Sequence, residues 1–182
     1  MKYSFLLSFF FFLGAQCGTA QVLPSFEDFI SNFKKDFQIN LVLNSQTNKP
    51  PFNRNDFSSY RSVPYFSNGI IVWAKIHKSP EIPGDMVESV KCFGDATTGI
   101  IQVLLSKRGE EIWSSLIKHS PNEKIIYLYK RKVIQEQNTN DVNLNSYISL
   151  KVKIRRDFNE FSHLFFPISL IEKAYNYAVK NE

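Results

Sequence analysis

The chain has 182 residues, 43% of them hydrophobic and 21% charged, with a formal net charge of +5. That length suits one domain built on a single core. The charge permits an anionic partner without demanding one, and the two cysteines, Cys17 and Cys92, exclude a disulfide framework.

In chain order, residues 1–20 (MKYSFLLSFFFFLGAQCGTA) come first. Lys2 supplies a short positive region and residues 5–13 are apolar except for Ser8. Gly18, Thr19 and Ala20 place small residues where a signal peptidase cuts. The apolar run is shorter than the roughly 20 residues a helix needs to cross a bilayer. The expectation is a cleaved secretory signal and a product not integral to a membrane. Lipid attachment at Cys17 is the weaker reading, because Gln16 just before it is too large and polar for a lipoprotein peptidase site. Without this segment, residues 21–182 form a single α+β domain in which Cys92 is the sole cysteine, read as a small buried hydrophobe. An exported chain with no disulfide and no N-x-S/T sequon fits a bacterial periplasm or outer surface.

Residues 25–37 read as the first helix. Ser25 and Asp28 form a capping box, and Phe26, Phe29, Ile30, Phe33 and Phe37 recur at helical spacing. A short strand is expected over 39–43. The stretch 48–69, rich in Pro, Asn, Ser and aromatics, reads as a long irregular connection. Strands follow over 69–77, 87–93 and 97–106, and a short helix over 109–117 with Ile112, Trp113, Leu116 and Ile117 inward. Residues 123–135 and 145–156 read as the two arms of one long antiparallel hairpin closed by 137–141, since Ile148, Leu150, Val152 and Ile154 alternate with polar residues. Asp157 with Glu160 suggests a cap, Pro167 a helix start, and 168–178 a final amphipathic helix.

This order predicts an α+β fold: a single antiparallel sheet with N- and C-terminal amphipathic helices packed on one face. It is loosely similar to the cystatin and NTF2-type arrangements, a likeness of architecture alone.

Hydrolase and cofactor signatures are missing. The sequence has no G-x-S-x-G elbow, no H-E-x-x-H helix, no C-x-x-C and no glycine-rich phosphate loop. His77, His119 and His163 have no metal-ligand neighbours at helical spacing, so neither metal nor cofactor is expected. Asp85 and Glu88 lie near His77 and could form an acid–base site with it, but Pro80, Pro83 and Gly84 make this stretch a turn, where acidic residues are ordinary.

Two groups suggest binding instead. The loop 51–66 interleaves Phe52, Phe57, Tyr60, Tyr65 and Phe66 with Arg54 and Arg61, residue types that carry energy at interfaces. The hairpin puts Lys151, Lys153 and Arg155 on one basic face, which Lys130 and Lys132 of the other arm join if the register allows. The ordinary alternative for the loop is a cover over one end of the core, and for the basic face a solvated surface whose lysines resist edge pairing. The expectation is an exported, non-enzymatic binding protein whose partner is an anionic polysaccharide or an acidic exported protein. Export argues against nucleic acid. The alternatives are a hydrolase with a site assembled from distant residues, or an inhibitory or structural partner of another exported protein.

Overall fold

Ser25 starts the first helix, α1 (Phe26–Asp36), through a complete capping box: its hydroxyl accepts from the Asp28 N–H while Asp28 accepts from the Ser25 backbone. Phe29 and Phe33 are buried along its inner face and Phe37 just beyond it, whereas Phe26 stays 40% exposed. The computed structural model describes residues 23–47, 49–50, 59–94, 97–142 and 147–165. The expected signal segment with Cys17, the loop residues Phe52, Arg54 and Phe57, and the final helix expected over 168–178 lie outside them.

Ten strands follow among the described residues: β1 (Gln38–Val42), β2 (Asn44–Thr47), β3 (Tyr60–Ser67), β4 (Ile70–His77), β5 (Ile82–Pro83), β6 (Val87–Gly94), β7 (Gly99–Leu105), β8 (Lys124–Tyr129), β9 (Lys132–Asn138) and β10 (Ile148–Val152). Helix α2 (Lys107–His119) lies between β7 and β8, with Ser106 accepting from the Gly109 N–H at its start. Trp113 is its buried anchor, while Ile112, Leu116 and Ile117 are half-buried against the core. A short helix, α3 (Ile154–Asp157), follows β10.

The strands form three antiparallel sheets, ordered β5-β1-β8-β9, β10-β7-β6 and β2-β4-β3. This overturns the expected single sheet with helices on one face. The layering follows from β8, whose residues Ile125–Tyr129 are all buried. Ile125, Tyr127 and Tyr129 join a large core with the phenylalanines of α1 and the strands of the β10-β7-β6 sheet. Ile126 and Leu128, on the opposite face, join a second core with Val63, Tyr65, Val72, Ala74 and Ile76 of the β2-β4-β3 sheet. A strand buried on both faces reads as a continuous apolar run, and KIIYLY is one.

Two connections differ from expectation. The segment 123–135 is not one arm of a hairpin. It breaks at Lys130 and Arg131, which have φ of 48° and 64° and form a two-residue turn between β8 and β9. β10 keeps its alternation, with Ile148, Leu150 and Val152 buried, but it pairs with β7, Leu150 opposite Ile101. Nor is 60–67 loop: it is β3, paired throughout with β4 across a turn at Asn68 and Gly69. Pro64 is tolerated because β3 is an edge strand and needs no donor there. Asp157 does not pair with Glu160 as a cap; it holds Arg156 instead.

β1 and β2 are one length of chain that changes sheets at Leu43, whose N–H donates to the Lys75 carbonyl at 2.9 Å. The β2-β4-β3 sheet is tied to the central sheet at its other side by Ser67, which donates to Glu136 of β9. Gly84 closes the molecule beneath α1: a Cβ there would lie 2.2 Å from the Lys34 carbonyl oxygen.

Candidate functional site

Two tight turns of the same backbone type stand at the ends of β3-β4 and β8-β9. Both have two central residues with positive φ, the conformation that favours Asn-Gly or Asp-Gly. The first has Asn68 at 50° and Gly69 at 81°; the second has Lys130 at 48° and Arg131 at 64°. Left-handed backbone costs a long side chain on the order of 1 kcal/mol per residue relative to glycine. Residues held in sparsely populated backbone regions cluster at functional sites. Here they are two cations at an exposed apex.

Those cations belong to a group. Arg131, Lys132 and Arg156 line a groove of about 330 Å³ together with Pro64 and Phe66 of β3 and Glu136 of β9. A neighbouring groove of about 300 Å³ shares Lys132 and Arg156 and adds Lys130 and Glu160. Arg156 is held in place by Asp157, whose carboxylate is 3% exposed and accepts from Nε and one Nη at 2.8 Å each. This pairing keeps the Arg156 proton bound more tightly than usual. Lys130 reaches Glu160 at 2.7 Å, which raises its pKa. Glu136 is engaged by Ser67 and, at 3.4 Å, by Lys124. The carboxylates of the groove are therefore taken, and Arg131 and Lys132 have no ion-pair partner among the described residues.

The residues expected to bind separate by strand alternation. Tyr60 lies on the outer face of β3, its ring 5.0 Å from that of His77, with Lys75 Nζ 4.4 Å above it. Arg61 points inward, donates to Gln38 and is partly desolvated. Burial, and then the nearby Arg131, lower its pKa. Tyr65 is 7% exposed in the second core, and burial followed by the Glu136 carboxylate pushes its phenol far above the ordinary range. Lys151, Lys153 and Arg155 are exposed, but they do not share a strand face. Only Lys151 is on β10; Lys153 precedes α3 and Arg155 lies within it. The basic hairpin face therefore does not form. Arg131, Lys132 and Arg156 come together in its place. Reading Lys130-Arg131 as a turn was the step required to find them, and the two hydrophobic strands flanking it were the available signal.

The acid–base pairing is also rearranged. Asp85 is exposed in a single 3₁₀ turn, Gly84–Met86. The carboxylate that senses His77 is Glu81, whose pKa is raised by burial against the lowering effects of the Leu41 N–H and His77. Glu81 shares a shallow groove with Ser115 and His119 of α2. Ser115 Oγ lies 3.3 Å from His119 Nδ1, but the same nitrogen lies 2.8 Å from the Ser115 carbonyl. A nitrogen that donates to a carbonyl has no lone pair to take a hydroxyl proton, so the pair does not generate a nucleophile. Cys92 is buried, and that burial lifts its thiol to about 12, opposite to the shift that activates a cysteine. No cluster of metal-ligating side chains occurs among the described residues, and no helix among them is long and apolar enough to cross a membrane. Compared with protein-family models, curated proteins and solved structures, the chain has no match.

Proposed function

We propose that this is an exported, non-enzymatic binding protein whose contact surface is the groove shared by residues 64–66 of β3 with Arg131, Lys132 and Arg156, and whose partner is anionic. The observation that carries the reading is the shared groove of Arg131, Lys132 and Arg156 against Phe66. Arg131 and Lys132, which have no ion-pair partner among the described residues, beside an exposed aromatic supply both parts of a binding energy: charge for attraction and register, and apolar area for residence. The signal-like residues 1–20 support delivery to a cell envelope or beyond, where polyanions other than nucleic acid present themselves. A role without chemistry is supported by the state of the nucleophile candidates: the Cys92 thiol is held protonated and His119 Nδ1 is occupied by a carbonyl.

The test is charge reversal. Arg131→Glu with Lys132→Glu should lower affinity for an immobilised polyanion by tenfold or more and flatten its salt dependence. Lys107→Glu with Arg108→Glu, exposed on α2 and lining neither groove, should change it little. Equal loss from both pairs, or from neither, would remove the groove as the contact surface.

A further inference from the structure

The tip of the β3-β4 hairpin carries three of the six large hydrophobic side chains that stand exposed among the described residues, Phe66 at 76%, Ile70 at 53% and Ile71 at 46%. Phe66 and Ile71 are cross-strand partners and share the outer face of the sheet. Ile70, one residue along, leaves the strand on the opposite face. The tip is thus apolar on both sides, with only Asn68 and Gly69 at its apex. Apolar side chains on both faces of a hairpin tip suit an apolar phase, which wets both. Phe66 of this tip also walls the groove that Arg131 and Lys132 line, so an anionic headgroup held in that groove would meet both cations.

We infer that the hairpin tip dips into the interfacial region of a bilayer containing anionic lipid, with Phe66, Ile70 and Ile71 among the upper acyl segments and Arg131 and Lys132 on headgroup phosphates. The inference rests on the reading of this groove as the contact surface and names its partner. It describes a peripheral contact in which neither component suffices alone. A basic residue near an anionic surface contributes about fivefold in affinity, and a single phenylalanine side chain about tenfold or more on transfer from water. Together with the two isoleucines they give reversible attachment, the regime that needs two signals for stable binding.

The test uses the full chain and vesicles of phosphatidylcholine, alone or mixed with phosphatidylglycerol. Binding is expected to favour the mixed vesicles. Phe66→Ser with Ile71→Ser should weaken it by tenfold or more, as should Arg131→Glu with Lys132→Glu. All four positions are exposed at turns or strand ends, and circular dichroism checks that each variant is folded. Phe66→Trp should show a blue-shifted emission on mixed vesicles that is quenched by lipids brominated in the acyl chain. An unshifted tryptophan, or a tip variant that binds as well as the parent, overturns the inference. If the charge variant loses both mixed vesicles and soluble dextran sulfate while the tip variant loses neither, the anionic-partner reading stands and the membrane falls. If neither variant changes any binding, both fall. If the tip variant instead changes the sedimentation coefficient, the tip is a self-association surface and the membrane again falls.

Discussion

Ser67 on β3 donates its hydroxyl proton to Glu136 on β9, and this bond ties the β2-β4-β3 sheet to the edge of the central sheet. The same carboxylate sits beside the Tyr65 phenol and within 3.4 Å of Lys124. Burial alone would raise the Glu136 pKa, but the Ser67 and Tyr65 hydroxyls and the Lys124 charge outweigh it, and the net shift is downward. A carboxylate with a depressed folded pKa contributes stability above its unfolded value, which is lost as pH falls through the folded one.

Ser67→Ala should therefore cost about 1–2 kcal/mol near neutral pH, the usual worth of a hydrogen bond to a charged group. The difference from the parent should shrink once Glu136 is protonated in both proteins. Urea melts at neutral pH and well below the ordinary carboxylate value of 4.5 check this. A deficit that persists at acid pH would place the effect in packing alone.

Glu81 is the opposite case. Its folded pKa is raised, first by burial, so the folded state holds this proton more tightly than the unfolded chain. The group then weakens the fold at neutral pH, and that penalty disappears as pH falls through the folded pKa toward 4.5. Glu81→Gln, which keeps an oxygen for the Leu41 N–H, should stabilise the protein at neutral pH and leave it unchanged below that window. The pH profile of the denaturation midpoint reads the result directly.

Because Ile125 and Ile126 of β8 enter different cores, their truncations should behave as independent losses even though the residues are adjacent. Ile125→Ala and Ile126→Ala should each cost about 2–5 kcal/mol. The double variant should fall within about 0.5 kcal/mol of their sum. A large coupling energy in the double-mutant cycle would mean that the two cores repack as one.

Asn40 of β1 is fully buried, yet neither its amide nitrogen nor its oxygen has a hydrogen-bond partner among the described residues. An unpaired buried amide costs about 1–3 kcal/mol in proteins. Asn40→Leu should be neutral or stabilising by about 1 kcal/mol, because replacing an orphaned polar group by an apolar one of similar shape removes that cost. A clear destabilisation in thermal melts would show that the amide is satisfied in solution.

The Lys130-Arg131 turn gives a trade-off to measure. Lys130→Asn with Arg131→Gly restores the residues its backbone favours and should raise stability by about 1 kcal/mol. The loss of the exposed Lys130–Glu160 pair is a small offset. The same substitution should weaken binding to anionic vesicles. A variant that gains stability and keeps full affinity would mean that the strain serves no contact.

What the sequence disclosed follows from how local each signal is. The capping box at Ser25 and Asp28, the phenylalanine stripe of α1 and the alternation of β4, β6 and β7 depend on near neighbours and were readable. β10 was readable as a strand, but its partner was not: Leu150 finds Ile101 rather than the arm that precedes it, and nothing in either segment encodes that choice. KIIYLYKRKVI ran together as one strand because β8 is apolar on both faces and its turn contains no turn residues. The converse error hid β3. Pro64 and the polar residues around it favour loop, and the Asn68-Gly69 pair that closes its hairpin is the one local signal of β3. The basic groove was invisible for the same reasons, since Arg131, Lys132 and Arg156 meet only once that turn is made and α3 has folded against it.

The position of β8 has a further consequence, in time rather than space. Its Leu128 pairs with Gln38 of β1, roughly ninety residues earlier, and both cores close around it. Contacts so distant along the chain make assembly slow compared with local structure formation. A ribosome must therefore deliver β8 before either core can be sealed. Until then neither core of the nascent chain has the strand that both share, and neither can close.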